Sequence, residues 1–96
     1  MVELLISSAA EHDYAEALNW YAVRDVRAAE DFDAEFHRAI LSIAEDPSRF
    51  PPCDERHHFY LMRRFPHQLI FRKASDHGVL IAVAHTSRRP RFWSDR

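Results

Sequence analysis

Apolar residues in the first half of the chain recur at helical spacing after one short apolar segment. Residues 2–6 read VELLI, which is typical of a short strand. We expect a helix to start at Ser8, because Ser8 and Glu11 form the S-x-x-E pattern of a capping box. Behind this cap an apolar stripe follows at positions i, i+3, i+4 and i+7: Tyr14, Ala17, Leu18 and Tyr21.

A second, longer helix is predicted over residues 25–45. The break at 23–25 is short, so the two helices should form an antiparallel hairpin. One face of the second helix carries apolar residues three or four positions apart: Ala29, Phe32, Phe36, Ile40 and Ile43. The other faces carry Arg27, Asp31, Glu35 and Arg38. Pro47 cannot continue the hydrogen-bond ladder and therefore marks the end of this helix. We predict that Phe36 and Ile40 belong to the core.

From residue 57 the hydrophobic period shortens to about two, which indicates strands. Three are predicted, at 59–63, 68–74 and 79–85, and residues 75–78 should form a hairpin turn because they contain Gly78, the only glycine of the chain. A three-stranded meander needs one face covered, and the helical hairpin is the available cover. The predicted fold is therefore a single α+β domain over residues 1–96, a two-layer sandwich of order β-α-α-β-β-β with a mainly antiparallel sheet.

Charge is divided unevenly between the two halves of the 96 residues. Residues 1–48 contain three Arg against eleven Asp and Glu, whereas residues 49–96 contain ten Arg and Lys against four acids. This asymmetry suggests either an anionic partner for the basic half or attraction between the two halves within one fold. Twelve of the thirteen cations are Arg, which forms planar, bidentate contacts with carboxylates and phosphates.

The numbers and spacing of cysteine and histidine residues limit which disulfides, metal sites and cellular compartments are expected. Cys53 is the only cysteine, so no internal disulfide forms, and a reducing cytoplasm is expected. No apolar run approaches the length of a membrane span, and no signal peptide is recognisable. The seven His and Cys53 lack the spacing of a closed tetrahedral zinc site, so we expect no metal and no cofactor. Neither Ser87 nor Cys53 stands in a recognisable nucleophile motif.

Three segments resemble the RelE/ParE superfamily of toxins from type II toxin–antitoxin systems. Residues 8–21 (SAAEHDYAEALNWY) look like the first helix of that family, and residues 63–72 (RRFPHQLIFR) are similar to its RRFPY hairpin motif. Residues 81–96 (IAVAHTSRRPRFWSDR) are close to the AVAH-x-RR-x-P-x-YW ending. The resemblance is nearer to the ParE-like, plasmid-stabilisation branch than to the RelE branch, and it covers nearly the whole chain.

The resemblance implies a growth-arresting toxin that forms a hetero-oligomer with a cognate antitoxin and inhibits DNA gyrase. The residues we expect to contact the target are Arg63, Arg72, His85, Arg88, Arg89, Phe92 and Trp93. The alternative is ribosome-dependent mRNA cleavage of the RelE type, in which His85 would serve as acid or base and Arg63 and Arg88 as cations. Phe92 and Trp93 occupy the place where the RNA-cleaving branch has a titratable group, which favours binding over cleavage.

Structural roles are the alternatives for the same residues. His85 could be a hydrogen-bonding residue at a strand end, Arg63 and Arg72 could pair with acids of the helical hairpin, and Trp93 could pack against the sheet edge. A nucleic-acid-binding module without toxin activity is a further reading of the basic half. It is disfavoured by the acidic half and by the absence of RNA-binding aromatic signatures.

Overall fold

Two helices lie on one face of a four-stranded sheet in the computed structural model of this chain, which describes residues 1–87 and 91–96. The elements are β1 (Glu3–Ile6), α1 (Ser8–Ala22), α2 (Val26–Glu45), a 3-10 turn (Pro47–Arg49), β2 (His58–Leu61), β3 (His67–Lys73) and β4 (His77–His85). The sheet order is β1-β4-β3-β2, in which β1 runs parallel to β4 and the other pairings are antiparallel. The predicted α+β class, element order and mainly antiparallel sheet are confirmed.

The start of α1 differs by one residue from the predicted capping box. Ser7 is the N-cap, with extended backbone (φ −67°, ψ 156°), and its hydroxyl accepts the amide proton of Ala10 at 3.1 Å. The backbone N–H of Ser7 donates to the carbonyl of Leu80 at 3.0 Å, which continues the pairing of β1 with β4. Because that pairing keeps Ser7 extended, the helix begins after it, and the prediction of Ser8 as the cap is wrong.

The main hydrophobic core lies between the helical hairpin and the sheet. It contains the predicted residues Phe32, Phe36 and Ile43 of α2, each at most 4% exposed, with Ile40 half-buried beside them. The predicted α1 stripe packs against this core through the partly buried residues Tyr14, Ala17, Leu18 and Tyr21. The predicted core faces of both helices are therefore confirmed.

Glu35 is buried although it lies outside the predicted apolar face of α2. Its side chain accepts the backbone N–H of Arg63 at 2.6 Å and that of Arg64 at 3.4 Å, and the residue is only 4% exposed. These amides are available because β2 ends at Leu61, two residues before the predicted end of that strand. The carboxylate therefore caps the turn between β2 and β3.

A second, smaller hydrophobic cluster covers the sheet face opposite the helices. Ile70 pairs with Ala82 and Phe71 pairs with Leu80, so Ile81 is an extra residue that forms a β-bulge in β4. Ile81 and Ala82 consequently both contact this cluster, together with Ile70, Ala84 and Trp93 from the C-terminal segment. The sheet is thus covered on both faces.

The turn between β3 and β4 is shorter than predicted. It closes at Ser75 and Asp76, where the Ala74 N–H donates to the His77 carbonyl at 2.8 Å. Gly78 lies within β4, pairs with Leu4 and Lys73, and has no positive φ. A Cβ atom at Gly78 would approach the Leu4 side chain to 3.1 Å, so this glycine allows close packing between strands and is not a turn residue.

Candidate functional site

A cleft of about 600 Å³ opens between α1 and the end of β4. Its α1 wall is formed by Asp13, Glu16, Ala17, Trp20 and Tyr21, and its opposite wall by Pro66, His67, Val83, His85 and Ser87. Trp20 is 53% exposed although it is a large aromatic residue. An exposed indole beside a concave surface is typical of a protein-binding site. Trp20 lies outside the apolar stripe of α1, and its place in a cleft depends on how α1 packs beside β4, so no pattern in the sequence indicated a role for it.

Two histidines pair across the sheet at the base of this cleft. His67 of β3 lies opposite His85 of β4, and their ring centroids are 5.0 Å apart in an edge-to-face arrangement. His67 is 5% exposed, whereas His85 is exposed. Burial, and to a lesser degree the neighbouring His85, lower the pKa of His67 from 6.5 to about 4. His67 is therefore neutral near pH 7, and only His85 presents its imidazole to solvent.

The tautomer of neutral His85 follows from its hydrogen bonds. The backbone N–H of Ser87 donates to His85 Nδ1 at 3.0 Å, and the Ser87 hydroxyl lies 2.7 Å from the same nitrogen. An amide N–H can only donate, so Nδ1 carries the lone pair and Nε2 carries the proton. In this arrangement Nε2 can donate a hydrogen bond to a partner, but it cannot accept a proton.

Asp13 and Arg96 close the edge of β4 beside the cleft. β1 pairs with β4 only as far as Leu80, so the next backbone groups of β4 lack a neighbouring strand on that side. Asp13 accepts the Val83 N–H at 3.1 Å, and Arg96 donates to the Ile81 carbonyl at 3.1 Å. Arg96 also donates to Asp13 at 2.7 Å. No local sequence signal could reveal these contacts, because Asp13 and Val83 are 70 positions apart.

The predicted cations and His85 do not form one centre. Arg63 is exposed and lines a separate cleft between α2 and the end of β2. Arg72 pairs with Val79, whereas His85 lies six residues further along β4, which corresponds to about 20 Å of strand. Within residues 1–87 and 91–96, the guanidinium groups of Arg63 and Arg72 form no ion pair with the acids of the helical hairpin. Arg88 and Arg89 lie outside the described residues.

The C-terminal aromatic pair is partly inside the protein. Trp93 is 6% exposed and packs on the face of the sheet, not against its edge, while Phe92 is half-buried next to it with the Arg96 guanidinium 5.1 Å from its ring. The same segment is tied to the 51–57 loop, because Arg91 donates to Asp54 at 3.3 Å. The position of Trp93 supports the structural alternative for this residue.

Asp54 is the polar centre of that loop. It accepts the backbone N–H of Arg56 at 2.8 Å and contacts the buried His57 ring at 2.9 Å. These hydrogen bonds, with that of Arg56 the larger cause, lower the pKa of Asp54 from 3.8 to about 2. In the described part of the chain, including this loop, no group of three His, Cys, Asp or Glu side chains could hold a metal ion.

A helical hairpin on one face of a mainly antiparallel sheet, with a short first strand parallel to the last strand, is the arrangement that the resemblance to RelE/ParE-type toxins predicts. The sequence matches the family model described as "ParE toxin of type II toxin-antitoxin system, parDE" over residues 4–90. The chain therefore belongs to the ParE toxin family, which confirms the resemblance seen in its motifs.

Similarity to a solved structure supports the fold. A structure described as "Chromosomal ParDE TA system from P. aeruginosa" aligns with a TM-score of 0.79 over 91% of this chain and 98% of that chain. Sequence identity is 13%, so the likeness concerns the fold alone. No curated protein sequence matches the chain significantly. Within the described residues, no helix combines the length and apolar character needed to cross a membrane.

Proposed function

We propose that this chain is a cytoplasmic toxin that arrests growth by binding DNA gyrase or a related topoisomerase, and that a cognate antitoxin neutralises it in a hetero-oligomeric complex. Membership of the ParE family supports the toxin role. The observation that supports binding over cleavage is the separation of His85 from Arg63, which line different clefts. Metal-free RNA cleavage needs an acid, a base and cations around one phosphate.

The chemistry of His85 also favours binding. In its neutral state Nε2 carries the proton, so a base role through Nε2 would require a change of tautomer, and one through Nδ1 would require loss of the Ser87 N–H hydrogen bond. The neighbouring His67 is buried and neutral, which leaves it unsuited to exchange protons with a substrate. A hydrogen bond from His85 Nε2 to a protein partner requires neither change.

The proposed target surface is centred on the cleft beside α1. His85 and the exposed Trp20 would contact the target, and the sequence-predicted Arg88 and Arg89 would add cationic side chains to this surface. Arg63 was expected in the same set but lines the separate cleft beside α2. Arg72, Phe92 and Trp93 were predicted with this set. Their partial or full burial supports a role in holding the sheet and the C-terminal segment in place.

The test compares two activities of the purified toxin: inhibition of gyrase supercoiling with accumulation of cleaved DNA, and cleavage of mRNA on programmed ribosomes. We expect gyrase inhibition that survives His85→Ala within a few-fold but falls about tenfold or more in Trp20→Ala, because aromatic anchors dominate interface energies. Leu41→Ala is the matched control, since Leu41 is 63% exposed on α2 and does not line the cleft.

A different result would contradict the binding proposal. Ribosome-dependent cleavage that disappears in His85→Ala, with gyrase unaffected, would establish the RelE-type activity and overturn the binding proposal. Trp93→Ala is a poor probe of the surface, because truncating a buried Trp costs about 3–5 kcal/mol of stability by itself.

A further inference from the structure

A second cleft, of about 370 Å³, lies between α2 and the turn that follows β2. Its walls carry three arginines and two hydroxyl groups around one acid: Arg38, Arg63, Arg64, Ser42, Tyr60 and Glu35. It is separate from the cleft that contains His85, and we refer to it as the arginine pocket.

The carboxylate of Glu35 in the arginine pocket is hydrogen-bonded to the backbone. Glu35 accepts the N–H groups of Arg63 and Arg64, so its carboxylate stabilises the turn, and within the described residues no guanidinium group of the pocket forms an ion pair with it. Arg64 approaches Asp31 only to 3.7 Å, with both side chains about half exposed, which is a weak pair. Nowhere in the described ranges does the guanidinium of Arg38 or Arg63 form a hydrogen bond or an ion pair.

A neutral hydroxyl group adds a hydrogen-bond donor beside these guanidinium groups. Ser42 Oγ accepts a hydrogen bond from Arg49 at 2.5 Å, so its own proton remains available to donate. Two guanidinium groups and a hydroxyl that face one concave surface match the acceptor geometry of a carboxylate, which can take bidentate hydrogen bonds from Arg.

We infer that the arginine pocket binds a carboxylate side chain of the antitoxin. The inference rests on the proposed antitoxin partner and specifies where an acidic residue of that partner binds. It also agrees with the basic character of residues 49–96, which would attract an acidic segment.

The charges along α2 favour an isolated carboxylate over a row of phosphates. Asp31, Glu35, Arg38, Ser42 and Glu45 follow at intervals of three and four and so share one stripe of the helix. Its two ends, Asp31 and Glu45, are acidic and stand about 21 Å apart at 1.5 Å per residue. A nucleic-acid strand laid along this stripe would meet acids on both sides of the pocket, whereas a single protein carboxylate would not.

The experiment measures the dissociation constant of the 96-residue chain for its purified cognate antitoxin, at low and at high salt. The double variant Arg38→Gln/Arg63→Gln should weaken binding about tenfold to hundredfold, with a smaller salt dependence, because two charge-assisted contacts are lost. Both side chains are exposed, so melting temperatures should stay close to that of the unmodified toxin.

The matched control is Arg27→Gln/Arg56→Gln, which removes the same net charge from two exposed arginines that do not line the pocket. An equal loss of affinity in both double variants would show general electrostatic attraction and overturn the inference, as would unchanged affinity in the pocket variant. If the pocket variant loses affinity for a short RNA or DNA oligonucleotide but not for the antitoxin, the pocket is a phosphate site and the inference is also wrong. If the unmodified toxin does not bind the antitoxin, the antitoxin proposal itself fails.

Discussion

At the scale of single residues, burial of polar groups shapes this protein. Asp13, Glu35, His57 and His67 are the polar residues buried within the described ranges, each at most 5% exposed. Asp13 and Glu35 accept backbone N–H groups that no neighbouring strand or helix satisfies. Unpaired backbone donors in such positions would be destabilising, so both carboxylates have structural roles.

His67 predicts a specific dependence of stability on pH. Its pKa is about 4 in the folded chain and about 6.5 when unfolded, so between these values the unfolded state binds more protons. The stability from neutral His67 is therefore complete above pH 6.5 and lost progressively as pH falls towards 4, by roughly 3 kcal/mol in total. Urea unfolding at pH 7.5 and pH 5 measures this loss.

The variant His67→Phe isolates this effect, because it keeps an aromatic ring against Tyr21 and Phe32 and removes the titrating group. It should reduce the loss of stability between the two pH values, whereas the exposed His12→Gln should leave the loss unchanged. Equal pH dependence in the unmodified protein and in His67→Phe would contradict the assignment.

At the scale of elements, the sheet is protected at both edges by short strands. The edge strands β1 and β2 have four residues each, compared with seven in β3 and nine in β4. The 51–57 loop also covers part of the outer side of β2, since the Phe59 N–H donates to the Pro51 carbonyl at 3.1 Å. Short and partly covered edges limit pairing with other chains.

The helix start offers a test of how tertiary pairing selects between adjacent serines. Ser7→Ala removes the hydroxyl that accepts the Ala10 N–H and should lower the free energy of unfolding by about 1 kcal/mol. Ser8→Ala is the control and should change it by about 0.5 kcal/mol or less, because Ser8 is already helical and exposed. Chemical denaturation measures the free energy of unfolding of both variants. A larger loss in Ser8→Ala than in Ser7→Ala would show that Ser8 is the N-cap, as the capping box in the sequence predicts.

At the scale of the whole molecule, the C-terminal segment connects parts of the fold that are distant in sequence. Arg91 contacts Asp54 of the loop, Trp93 covers the outer face of the sheet, and Arg96 joins Asp13 of α1 to the backbone of β4. This segment therefore contributes to the stability of the fold.

Arg96→Ala should lower the free energy of unfolding by about 3 kcal/mol. It leaves the Asp13 carboxylate, whose side chain is 3% exposed, without its charged partner. Asp95→Ala, an exposed neighbour, should change stability by about 0.5 kcal/mol or less. In a double-mutant cycle, Asp13→Asn and Arg96→Ala together should destabilise less than the sum of the single changes. Additive effects measured by urea unfolding would show that the ion pair does not couple the two elements.

The sequence by itself determined the kind and order of the elements, the core faces of both helices and the family. These features depend on local periodicity and on contiguous motifs, which can be read from the sequence before the chain folds. An example is the spacing of three and four positions in the series Phe32, Phe36, Ile40 and Ile43. Gly78 shows what local patterns miss. A glycine between two apolar segments predicts a turn, but here it lies within β4, where the close approach of the Leu4 side chain leaves little room for a Cβ atom.

Only the tertiary structure decided which polar residues act together. Glu35 caps amides 28 and 29 positions away, and Asp13 caps one 70 positions away, so neither role leaves a local trace in the sequence. Likewise, Arg63 and His85 occur in two successive motifs of the chain, yet the fold places them in separate clefts. Contacts of this kind follow from the packing of α1 and α2 on the sheet, because the free energy of burying a charge depends on its three-dimensional neighbours and not on its position in the chain.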